Sequence, residues 1–139
     1  MLASPYRGND GGEGKEELGG ADINDVLHLF PLAQSLGYID MRNIFMYGVS
    51  RGGMTTYLAL KHGSPVNAAA IVGGVTDLQA WAEWRPQMLQ EYQDLIPEYA
   101  RHADDQLRQR SAIHWAEQIN VPLLILHGGA DWRVPPARH

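Results

Sequence analysis

The run Ile44-Phe45-Met46-Tyr47-Gly48-Val49-Ser50-Arg51-Gly52-Gly53 joins an apolar, strand-forming stretch to Gly-x-Ser-x-Gly. A helix-forming stretch, Met54-Thr55-Thr56-Tyr57-Leu58-Ala59-Leu60-Lys61-His62, follows at once. A serine at the tip of so sharp a strand-to-helix turn needs neighbours without side chains, and Gly48 and Gly52, with Gly53 behind them, let the backbone pass close to itself. Ser50 is thereby lifted clear of the strand end. Its hydroxyl is a weak nucleophile that needs an adjacent base. The amide of Arg51 can point to where an oxyanion would develop, and the helix directs its positive end the same way. The plainer reading is a Gly-rich turn in some other doubly wound fold, with Ser50 capping the helix. The strand before and the helix after favour the nucleophile, because that context is the nucleophile elbow.

Elsewhere strand-like and helix-like segments alternate, the pattern of a mostly parallel sheet flanked by helices. Residues 1–4 read as the tail of a strand, and a Gly-rich, acidic loop runs from Arg7 to Gly20. Asp22 is placed to cap a helix reaching about Leu36, with Ile23, Val26, Leu27, Phe30 and Ala33 as its buried stripe. Pro31 falls inside it and removes the hydrogen bond to the Leu27 carbonyl, which predicts a kink or break. Residues 43–47, 67–75 and 121–127 read as strands, and Arg51 to Lys61 as a helix.

The stretch between Val75 and Val121 is far longer than an ordinary crossover. Met88, Leu89, Tyr92, Leu95, Ile96 and Tyr99 repeat at helical spacing, Pro97 interrupts them, and Ser111 opens a further helix through Ala112, Trp115 and Ala116. A helical excursion before the last strand is therefore expected. Trp81, Trp84 and Trp115 are candidates to line a substrate pocket there, although aromatics in such helices more often serve packing.

The second chemical feature is Leu124-Ile125-Leu126-His127-Gly128-Gly129-Ala130-Asp131-Trp132-Arg133-Val134-Pro135. An acid just past a buried strand and downstream of the serine is where the order Ser, Asp, His puts its orienting carboxylate. Asp131 is that candidate, with Asp77 the weaker rival. The alternative for Asp131 is a cap of the next turn or a pair with Arg133.

Charge and composition narrow the classes. A net charge of -5 gives no attraction to nucleic acid or an anionic membrane, and no basic cluster offsets it. There is no cysteine, so disulfides and thiolate metal sites are excluded. No run reads as a signal peptide or membrane span, which points to a cytoplasmic or otherwise soluble location. The histidines show no convincing metal spacing, and no cofactor is expected. Residues 9–16 fail as a phosphate loop, since position 9 is not Gly and position 16 is neither Ser nor Thr. Asp22, Asn24 and Asp25 are too tightly spaced for a calcium loop. Arg7 is placed to pair with Glu13 or Asp10 within its own loop.

Four stretches together resemble the catalytic domain of the prolyl oligopeptidase family of serine peptidases, within the α/β-hydrolase superfamily. They are Tyr6-Arg7-Gly8 with the loop to Gly20, Gly48 to Gly53, Val72-Gly73-Gly74-Val75-Thr76-Asp77, and His127 to Pro135. The resemblance covers residues 1–139 and implies a partial α/β-hydrolase domain. By it Ser50 is the nucleophile, Asp131 the triad acid and the Arg51 amide one oxyanion donor. The implied reaction is hydrolysis of short peptides through an acyl-enzyme, without metal or cofactor. In the family the chain begins several strands earlier, and the triad histidine follows a further helix and strand. On that pattern these residues are a central piece, the triad histidine is not among them, and the isolated chain is expected to be inactive. It is also expected to self-associate through uncovered sheet edges. His139 lies too soon after Asp131 to serve readily, and His127 is better placed to bond nearby backbone. A carboxylesterase on the same fold and a non-catalytic binding module are the alternatives.

Overall fold

The computed structural model describes residues 1–136. Three strands form a parallel sheet in the order β1 (Phe45–Val49), β2 (Ala68–Val72), β3 (Leu123–Leu126). Phe45 pairs with Ala68 and Val49 with Val72 at one ladder, and Ala69 with Leu123 and Val72 with Leu126 at the other. The strands are shifted or shorter than sequence alone predicts. β1 runs two residues further, because Gly48 and Val49 still pair with Ile71 and Val72. β2 stops at Val72, where Gly73 turns away at φ +55°. Residues 1–4 form no strand and lie exposed.

The helix α1 (Ile23–Ser35) runs through Pro31 without a break. Proline removes one hydrogen bond, and the packing of the rest of the helix outweighs it. Ile23 and Ala33 are buried, whereas Val26, Leu27 and Phe30 are half-buried. Asp22 does not cap this helix. Its backbone is already helical, and its Oδ2 instead accepts from the Gly19 amide at 3.3 Å.

One face of the sheet carries the core. Met54, Tyr57 and Leu58 of α2 (Arg51–Lys61) pack with Ile71 of β2, and the cluster continues into the excursion. A second cluster joins Leu60, Val66 and Ala69, with Phe30, Met46 and Leu123 packed against it. Residues alternate across a strand, so Phe45, Tyr47 and Val49 point to the opposite face, in register with Ala68, Ala70 and Val72, and these with Leu124 and Leu126. That face is open: Phe45 is 68% and Tyr47 66% exposed. Among the described residues no helix is long and apolar enough to cross a membrane.

The excursion is helical as expected. It comprises α3 (Leu78–Trp84), α4 (Met88–Leu95) and α5 (Tyr99–Arg110), with Pro97 and the left-handed Glu98 separating the last two. Tyr92 anchors it, fully buried, and its hydroxyl donates to the Leu78 carbonyl at 2.8 Å. Beyond Ser111 there are two short 3-10 turns, Ala112–His114 and Ala116–Gln118, where an α-helix was expected. Ser111 is not a cap there. Its Oγ donates to the Leu107 carbonyl and accepts from the Leu78 amide, so it joins α5 to the start of α3.

Candidate active site

The turn between β1 and α2 is held from both sides. Ser50 donates its amide to the Val72 carbonyl at 2.8 Å, which keeps it at the carboxyl end of the central strand, and its own carbonyl accepts from Gly53 and Met54. Its φ is +54° with ψ −118°, a conformation uncommon for a residue with a side chain and costing on the order of 1–3 kcal/mol. Ser50 makes no side-chain bond to the helix it precedes, so the capping alternative is not realised. It is exposed, and among the described residues its hydroxyl has no hydrogen-bond partner.

The glycines divide differently from the sequence expectation. A Cβ on Gly48 would lie 2.2 Å from the Gly52 carbonyl oxygen and 2.4 Å from Thr56 Oγ1. One on Gly53 would lie 2.7 Å from both the Gly74 Cα and Ile71 Cγ2. Those two positions carry the close approach. At Gly52 a Cβ would meet only the Tyr6 hydroxyl, at 4.0 Å. What matters at Gly52 is its carbonyl, which faces Gly48 and accepts from Thr56 Oγ1 at 2.9 Å.

Asp131 sits in the loop after β3. Its Oδ1 accepts from the amides of Arg133 and Val134, both at 2.9 Å, while its own amide donates to Gly128. The capping of the turn thus uses one oxygen and leaves the other free of it. Oδ2 faces inward, 3.8 Å from His127 Nε2 and 3.1 Å from where a Cβ on Gly73 would be. Gly73 directly follows the residue that holds the Ser50 amide, so acid and serine converge on the end of β2. His127 Nε2 lies 2.7 Å from the Val134 carbonyl, a contact that requires its proton on that nitrogen. His127 therefore braces the acid loop, as its bond to backbone led one to expect.

The Val134 amide, then that of Arg133, hold the Asp131 carboxyl below its ordinary pKa, and the charges of His127 and Arg133 add to this. A lowered carboxyl pKa stabilises the fold above the unfolded value of about 3.9 and is lost as pH falls through the folded one. A carboxyl-detected NMR titration of Asp131 should accordingly give a midpoint below that of an unstructured aspartate. A midpoint at or above it would mean that the two amide bonds are not made in solution.

The other candidates resolve into structural roles. Asp77 caps α3, with Oδ1 accepting from Gln79 and Ala80. Trp115 is buried in the core beneath the Lys61 ammonium, 4.5 Å from its ring, and serves packing. Trp81 and Trp84 grip the acid loop, their indole N–H groups donating to the carbonyls of Arg133 (2.7 Å) and Trp132 (2.9 Å). Arg7 pairs with neither Glu13 nor Asp10. It makes a two-bond contact with Asp25, at 2.6 and 2.7 Å, because the loop folds back along the start of α1. Among the remaining histidines, His28 lies on α1, His62 ends α2, His102 lies on α5 and His114 on a 3-10 turn. His139 lies outside the described residues.

The sequence reading missed the side chain of Arg51. Its guanidinium lies 4.2 Å above the Tyr6 ring, contacts the Glu16 carboxylate and stands 4.0 Å from Asp22 Oδ2. The acidity of the loop was the available signal.

Three parallel strands flanked by helices are the fold of the α/β-hydrolase peptidases. A puromycin-hydrolysing peptidase of Mycobacterium tuberculosis superposes with a TM-score of 0.75 at 28% identity, over 86% of this chain and 18% of its own. The profile described as the prolyl oligopeptidase family matches residues 4–139, and the chain belongs to that family. An uncharacterised peptidase of Bacillus subtilis (strain 168), YtmA, is 30% identical over 135 residues, 96% of this chain and 52% of its own. Acylamino-acid-releasing enzyme 1 of Oryza sativa subsp. japonica is 29% identical over 153 residues, 97% of this chain and 20% of its own. The chain thus spans about half the length of the first relative and a fifth of the second.

Proposed function

We propose that this chain supplies the nucleophile and the acid of a serine peptidase that cleaves short peptides through an acyl-enzyme on Ser50. The observation that carries the reading is the conformation of Ser50, held at φ +54° directly after β1, its amide bonded to the end of the central strand and its side chain exposed. In the reaction Ser50 Oγ attacks the scissile carbonyl and a histidine takes its proton. The Arg51 amide donates to the oxyanion, and the histidine passes that proton to the amine as the C–N bond breaks. Water then attacks the acyl-enzyme, losing a proton to the histidine, which returns it to Ser50 Oγ as the carboxylic acid leaves. Asp131 orients that histidine through Oδ2, the oxygen left over from the turn. The base comes from outside the described residues, since His127 is committed to the Val134 carbonyl. Relatives named for releasing acylamino acids and hydrolysing puromycin support small amide substrates.

A fluorophosphonate probe tests the assignment in the full-length protein. A single adduct is expected, mapped to Ser50 by peptide mass spectrometry and absent in Ser50→Ala. Turnover of an N-acetylated dipeptide should be lost with it. An adduct on another residue, or none in a folded sample, would overturn the reading.

A further inference from the structure

We infer that the Arg51 side chain is a positioning residue, which ties the loop over residues 6–22 to the elbow and thereby fixes the amide beside Ser50. The inference rests on the reading of Ser50 as nucleophile, but its geometry is independent of it. Arg51 begins α2, and its guanidinium is the meeting point of three groups from the loop. Tyr6 offers its ring face, Glu16 its carboxylate and Asp22 a second carboxylate. Both acids are well shielded, at 13% and 4% side-chain exposure, and the guanidinium is a cation within reach of both. A planar guanidinium can stack on a ring and meet a carboxylate edge at once, which an ammonium does less well.

The same turn of helix holds the loop a second time. Thr55 Oγ1 lies 3.2 Å from the Tyr6 hydroxyl and 3.2 Å from the Arg51 carbonyl. On the far side Arg110, itself buried, donates to the carbonyls of Leu18 and Glu17. The loop is therefore clamped between α2 and α5. One residue thus carries two functions: its backbone N–H faces the reacting centre, and its side chain anchors the peptide bearing that N–H. The Ser50 carbonyl bonds to the Gly53 and Met54 amides hold that peptide from the helix side, and the clamp holds it from the loop side. Freeing the clamp loosens the first turn of α2, which weakens the donor without changing any group that touches substrate.

Three readouts on the full-length protein test this. In Arg51→Met, tryptic cleavage after Lys15 should accelerate at least tenfold, and Arg51→Lys should recover part of the protection. In Glu16→Gln, the Arg51 amide NMR resonance should move, although the substitution lies far away in sequence. In both Arg51→Met and Glu16→Gln, kcat should fall at least tenfold with KM within about twofold of wild type. Ile96→Val, a loss of core packing elsewhere, should lower the melting temperature and move none of the three. Wild-type protection of Lys15 in Arg51→Met, an unmoved Arg51 amide in Glu16→Gln, or loop release with kcat unchanged would each overturn the inference. If wild type turns over no peptide, the peptidase reading fails, while the proteolysis and resonance readouts still decide the clamp.

Discussion

Asp131→Asn is expected to lower turnover by about four orders of magnitude while leaving the fold nearly intact. The reason is the division of labour between its two oxygens. Oδ1 accepts from the amides of Arg133 and Val134, and an asparagine oxygen can accept both bonds, so the turn is retained. The second oxygen becomes an NH2 group. In the proposed reaction it could then neither accept from the histidine nor stabilise the imidazolium formed as Ser50 gives up its proton. Steady-state turnover and a thermal melt, made on the same full-length sample, separate the two effects. A melting temperature that fell steeply along with activity would show that the carboxylate is chiefly a structural element.

The second large effect concerns Gly48. Gly48→Ala should destabilise the protein by about 3 kcal/mol or more, because the new methyl meets a backbone carbonyl and a bonded hydroxyl that cannot swing away. For a domain of this size that is a fall in melting temperature of roughly 10 °C, or failure to fold. Gly52→Ala, four residues on, should be neutral or stabilising by up to about 1 kcal/mol, because it lies in the first turn of α2 and faces open space. Comparable losses at the two positions, measured by urea melts, would refute the steric account.

That contrast shows what a motif conveys and what it leaves out. The strand, the turn and the helix around Ser50 were legible because each has its own local signal: apolar run, glycines, helical spacing. The acid past the last strand and the excursion over residues 78–110 were legible for the same reason. The assignment of the tight contacts to Gly53 rather than Gly52 was not, since it depends on Ile71 of β2 and Gly74 just beyond that strand packing against the helix. Partners distant in sequence were equally hidden. Arg7 was given an acid nearby in its loop, but the fold brings Asp25 closer. The Arg51 clamp joins groups whose proximity depends on how the Gly-rich loop folds back. At Pro31 the helix continues without a break, because one lost hydrogen bond is small beside the packing of the whole element.

The grip of Trp81 and Trp84 on the acid loop has an optical consequence. Two of the four tryptophans in the chain spend their indole N–H groups on the carbonyls of Arg133 and Trp132, immediately after Asp131. A displacement of the backbone that follows Asp131 breaks those bonds and changes the polarity around two chromophores. The protein therefore carries a native emission signal for the seating of Asp131, with no dye and no added label.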